Sequence, residues 1–135
     1  MVEKMDLSAV DYKALADFRH AIRSFLAFSE GKASEMGLTP QQHQALLAIR
    51  ASQNGEATIG YVAERLLLKP HSASELVARL ESISLLKRKP SEVDGRQYNL
   101  TLSAKAERIL RELSATHREE LRRLRPMLSE VLKQL

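Results

Sequence analysis

Between Thr58 and Ser103 the apolar spacing switches from steps of three or four residues to a step of two, and no other stretch restricts the fold as tightly. The stretch opens at Thr58, which can cap a short helix with Ile59, Val62, Ala63 and Leu66 on one side. After Leu68, "KPHSASELVARLESISLL" begins a second helix with a proline near its first position. On a wheel of about 100° per residue, Ala73, Leu76, Val77, Leu80 and Ser84 share one face. His71, Ser74, Glu75, Ala78 and Ser82 share the other, flanked by Ser72 and Arg79. That outward face is small and polar for two turns, where a merely solvated face tends to gather Lys and Glu. Two extended runs follow, "LLKRKP" and "QYNLTLS", the second alternating Tyr98, Leu100 and Leu102 with polar residues. The acid- and glycine-rich "SEVDG" between them makes a turn, so the pair predicts a β-hairpin.

The flanks are helical. From about Ser8 to Met36, Leu15, Phe18, Ile22 and Phe25 recur at helical spacing, and Gly37 stops the run. "LTPQQHQALLAI" offers Thr39 as N-cap, Pro40 at the first position and Gln42 as the return partner of a capping box. Leu46, Leu47 and Ile49 should carry that helix inward until about Ser52, before the loop "SQNGEA". Ser103 caps a last long helix with Leu110, Leu113, His117, Leu121, Leu124, Leu128, Val131 and Leu135 along it. Pro126 should kink or divide it near Arg125. The expected fold is mainly α with a small β-hairpin (α+β), a single domain over residues 1–135. Aromatics make up only 4% of the chain, so the core must be aliphatic. The terminal helices carry more apolar face than one small domain can cover, which predicts burial against a second copy. The alternative is that they pack on each other within one chain.

The formal charge is +4 with a pI near 9.6, a mild basic bias that suits a polyanionic partner. The bias is uneven. Residues 1–56 hold six Lys/Arg against seven Asp/Glu, residues 57–103 hold seven against five, and residues 104–135 hold eight against five. With no cysteine there is no disulfide, thiolate nucleophile or thiol redox sensor. No run of about 18 apolar residues is available to span a membrane, and the acids of "MVEKMDLSAVDYKALADF" do not suit a signal peptide. A cytoplasmic protein is therefore expected. Histidines 20, 43, 71 and 117 form no ligand pair at helical spacing, and no phosphate-cradling glycine loop or nucleophile elbow occurs. Neither an enzyme, a metal site nor a cofactor is predicted.

A short helix, a tight turn and a second helix with a small polar first half form the helix-turn-helix plan, in which the second helix enters the major groove of DNA. His71, Ser72, Ser74 and Glu75 are placed to meet base edges and Arg79 to meet a phosphate, with Lys69 a further expected DNA contact of the same helix. The hairpin then acts as a wing. Lys87, Arg88 and Lys89 at its base would neutralise phosphates. Arg96 could enter an A·T-rich minor groove, with Asp94 holding its guanidinium.

"LTPQQHQALLAI", "TIGYVAERLLLKPHSASELVARLESISLLKRK" and "DGRQYNLTLSAKA", in that order, resemble the MarR family of bacterial winged helix-turn-helix regulators. The resemblance runs from about Phe18 to Leu110, and its most specific element is the Asp-x-Arg of the wing, Asp94 and Arg96. It implies a winged helix-turn-helix over about 39–103, with dimerisation helices over about 8–36 and 104–135. It also implies a homodimer on a pseudo-palindromic operator of double-stranded DNA, most often as a repressor, with a cleft able to hold a small-molecule effector. Nothing in the sequence identifies that effector. Leu15, Phe18, Ile22, Leu121, Leu124, Leu128 and Val131 are the expected dimer contacts. The sequence departs from the family's pattern at Ser84, where glycine usually ends the reading helix, and at Gly95, where many wings carry a second arginine. These departures, with Glu75, suggest the alternative of a winged-helix protein-interaction module that has lost operator binding.

Overall fold

The computed structural model describes residues 6–53, 56–92 and 95–135. Among them are α1 (Ala9–Glu35), α2 (Pro40–Ala51), α3 (Ile59–Leu66), α4 (Pro70–Ser82), β1 (Leu86–Pro90), β2 (Tyr98–Leu102) and α5 (Ala104–Gln134). The element order is the one the periodicity predicts. The chain divides into two compact units, one of residues up to Lys32 together with Ser114–Leu135, the other Ala33–Leu113.

Side-chain caps start three of the helices that begin in the Ala33–Leu113 unit, α2, α3 and α5. Thr39 Oγ1 accepts the Gln42 N–H at 3.1 Å while Gln42 Oε1 accepts the Thr39 N–H at 3.0 Å, a complete capping box. Thr58 Oγ1 accepts the Tyr61 N–H at 3.1 Å, and Ser103 Oγ does the same for the Ala106 N–H at 3.1 Å. Each cap satisfies an N–H that the first helical turn cannot pair internally.

Three helices end alike. The chain turns left-handed at Gly37 (φ 79°), Leu67 (φ 56°) and Ser84 (φ 62°). The next amide then reaches back five residues, Leu38 to the Ala33 carbonyl at 2.9 Å, Leu68 to Ala63 at 2.8 Å and Leu85 to Leu80 at 3.0 Å. These are Schellman closures, and only the first uses the residue that takes a positive φ without steric cost. Ser84 is therefore not part of the inward face of α4. It lies past the helix end and is exposed, because the left-handed turn swings it away from the 3.6-residue period.

Leu46, Val62, Val77, Leu80, Leu85 and Leu86 are the largest fully buried side chains, joined by Leu100, Leu110 and Leu113. Leu47, expected inside, is largely exposed; its neighbours Leu46 and Ile49 take the buried arc of α2. β1 and β2 pair antiparallel, Leu86 opposite Leu102, Arg88 opposite Leu100 and Pro90 opposite Tyr98. The Leu100 N–H also donates to the Ala57 carbonyl at 2.7 Å, tying the hairpin to the segment before α3.

In the other unit the first part of α1 packs on the last part of α5. The His117 ring meets Phe25 and Phe28 edge-on, with centroids 5.8 and 5.7 Å away, and its Nε2 lies 2.7 Å from Ser29 Oγ. Steps of seven then lead from Phe28 back to Ala21 and Ala14, and from His117 on to Leu124 and Val131, and these two alanines, the leucine and the valine are all buried. Pro126 does not divide α5. It sits on an exposed face with Arg122, where water can hydrate the carbonyl that loses its partner.

Candidate nucleic-acid interface

The buried stripe of α4 fixes which residues it presents outward. Ala73, Val77 and Leu80 are fully buried, so Lys69, His71, Ser72, Ser74, Glu75 and Arg79 are all exposed. Pro70 takes the first helical position, where a missing N–H costs no helical bond, and Lys69 precedes it without a side-chain cap. His71 Nε2 lies 3.1 Å from Glu75 Oε1, with both side chains mostly exposed (85% and 71%). Ser82 Oγ donates to the Arg79 carbonyl at 2.6 Å, so it is satisfied by its own helix. An open groove runs between the start of α2 and α4, lined by Thr39, Gln41 and Gln42 on one side and Ser72, Glu75 and Arg79 on the other.

On the wing, Lys87 and Lys89 are exposed and face Thr101 and Asn99 across the ladder. Arg88 is set apart from them by the pleat. It is half-buried, and its Nε donates to Glu81 Oε1 at 3.2 Å, joining the base of the wing to the end of α4. The three consecutive cations thus divide into two that face solvent and one that holds the wing to its helix. Arg96 is exposed in the turn before β2. Asp94, expected to steady it, lies outside the described residues. A Cβ built at Gly95 meets nothing within 4 Å, so there is space for a side chain at that position.

A second cavity, about 590 Å³, lies beside the wing and is lined by Arg50, Lys89, Asn99 and Glu107 among others. Arg50 Nε donates to Glu107 Oε2 at 3.2 Å across its rim. Sequence spacing gives no sign of that pair, whose members stand 57 positions apart.

The expected dimer residues fall into two sets. Leu15, Ile22 and Leu121 are 48%, 41% and 48% exposed, while Phe18 and Leu128 are half-buried. Leu124 and Val131 are buried within the single chain and need no second copy to cover them. Ala14 and Ala21, which lie between the bulky residues of the sequence stripe, form the buried seam instead. Their seven-residue spacing to Phe28 was the available signal. Among the described residues no helix is long and apolar enough to cross a membrane.

Residues 36–97 match the model of the MarR family. No curated protein sequence matches the chain. Among solved structures, a mutant of MepR from Staphylococcus aureus bound to an oligodeoxyribonucleotide is similar, with a TM-score of 0.67 and 22% identity over 96% of this chain and 90% of that one. AbsC, a MarR family transcriptional regulator from Streptomyces coelicolor, has a TM-score of 0.71 at 19% identity, covering 87% of this chain and 80% of its own. A MarR family protein from Bacillus stearothermophilus has a TM-score of 0.72 at 22% identity, covering 88% and 82%. At these identities the likeness concerns the fold.

Proposed function

The segment 36–97 is a MarR-family winged helix-turn-helix, and from that premise we propose that the chain is a sequence-specific regulator of transcription that binds double-stranded DNA as a homodimer. The observation that carries the reading is the outward face of α4, where His71, Ser72, Ser74 and Glu75 stand exposed at the start of a helix whose opposite stripe is fully buried. A major groove accepts a helix presented in this way, and short polar side chains at its start reach base edges. Lys87, Lys89 and Arg96 supply exposed cations from the wing, which suit phosphates and, for Arg96, a narrow minor groove. Solved MepR–DNA complexes with this fold support the same use of it.

What the α1/α5 unit leaves outside supports the homodimer. After Ala14, Ala21, Leu124 and Val131 are buried, Leu15, Ile22, Leu26, Leu121 and Leu132 remain substantially exposed on the same two helices. A second copy would cover them and set two reading helices about 34 Å apart on a pseudo-palindromic operator. Bound there, the dimer would act as a repressor by occupying the site. A small-molecule effector of unidentified chemistry would release it by changing that separation, since a few ångströms remove contacts from one half-site.

One observation favours the protein-interaction module instead. Leu67 is 92% exposed at the turn between α3 and α4. Salt dependence separates the two. A dimer that neutralises several phosphates should lose roughly a thousandfold in affinity for duplex DNA between about 50 and 200 mM salt. A flat response would reject the DNA reading in favour of a protein partner.

A further inference from the structure

Glu75 is an acid on a surface otherwise suited to a polyanion. It projects beyond Ser72, Ala78 and Ser82, which share its side of α4 and are too short to cover it. A carboxylate in that position is repelled by phosphates and gains only where it finds a donor. Its Oε1 already has a neighbour, His71 Nε2 at 3.1 Å, so the carboxylate turns back along the helix towards His71 and not forward to Arg79. A proton on Nε2 donates to Oε1 and leaves Oε2 available to an outside donor.

The major groove offers two such donors, the N4 amino group of cytosine and the N6 amino group of adenine. Adenine's lies beside N7, an acceptor that opposes a second carboxylate oxygen. Cytosine's has no acceptor next to it on the same base. We propose that Glu75, held in place by His71, reads a cytosine N4 amino group in each half-site of the operator. The inference rests on the DNA-binding reading above. It makes Glu75 a specificity determinant and His71 its positioning residue.

The test is selection of bound duplexes from a random pool, followed by competition titrations, with the full chain and three variants. The wild-type protein should enrich one cytosine per half-site. Glu75→Gln should move that position towards adenine, because an amide offers the donor and acceptor that match N6 and N7, with a change of roughly tenfold in the C-to-A ratio. His71→Ala should narrow the cytosine preference several-fold, while His71→Lys, which restores a donor one turn before Glu75, should recover it. All three substitutions are at exposed positions, so thermal unfolding should be unchanged. If Glu75→Gln raises affinity uniformly and leaves every base preference intact, Glu75 only repels phosphates and the proposal falls. If His71→Ala retains the full preference, the positioning role falls. If the wild-type chain enriches no duplex at all, the DNA-binding reading fails along with it, a result readily told from the other two.

Discussion

The two units of this chain solve burial in different ways. Ala33–Leu113 closes its own core, with six large aliphatic side chains fully buried and helix starts fixed by Thr39, Thr58 and Ser103. In the unit of residues up to Lys32 and Ser114–Leu135, the buried seam on α1 is alanine at 14 and 21, and comparable bulk stays outside at Leu15, Ile22 and Leu121. Buried alanine removes little apolar area per residue, and each Å² removed is worth only about 25 cal/mol. The first unit covers its own core, while the second leaves apolar side chains exposed that the proposed second copy would cover. The largest expected effect breaks the first. Leu80→Ala should cost about 2–5 kcal/mol of unfolding free energy in denaturant titration. A loss below about 1 kcal/mol would mean that the site can collapse around the change, and that the core is less closed than described.

The second unit should respond to where a charge is placed and not merely to its presence. Leu121→Asp falls on an exposed position and should give a folded monomer, with dimer dissociation rising at least about a hundredfold in sedimentation. Leu124→Asp falls on a buried position one turn away and should unfold the unit instead, because a lone buried carboxylate has no partner. A dimer that survives Leu121→Asp would remove that face from the interface.

At the wing the contrast is between cations that hold and cations that reach. Arg96→Ala should weaken operator binding by roughly tenfold while leaving stability within about 0.5 kcal/mol, since the residue is exposed and carries no core. Gly95→Arg should act in the opposite direction and steepen the salt dependence, because the position has room for a side chain. Unchanged affinity in Arg96→Ala would end the minor-groove role.

Features written in local sequence were legible. Thr39 and Gln42 announce their capping box, Pro40 and Pro70 their helix starts, and the shift in period announces the hairpin. What escaped needed the third dimension. Ala14 and Ala21 look like spacers beside Leu15 and Ile22 until a second helix selects the face. Arg88 reads as one of three equal cations, and only the register that puts it opposite Leu100 turns it from Lys87 and Lys89 towards Glu81. Asp94, the partner expected for Arg96, lies outside the described residues, so the wing's most specific pair is half placed.

The smallest effect tests the three left-handed helix ends against one another. Gly37, Leu67 and Ser84 hold the same closure with different side chains, and for a non-glycine residue that conformation costs roughly 1–2 kcal/mol. Glycine's greater freedom in the unfolded chain offsets part of any gain. Leu67→Gly and Ser84→Gly should therefore each stabilise the Ala33–Leu113 unit by about 0.5–1 kcal/mol, and Gly37→Ala should destabilise it by a similar amount. Leu67→Gly also removes a 92% exposed leucine without touching the buried core. If stability rises and duplex affinity holds, Leu67 is a tolerated side chain on a strained turn. If affinity falls while stability rises, the leucine is kept at that turn for contact with a partner, and the strain is the cost of presenting it.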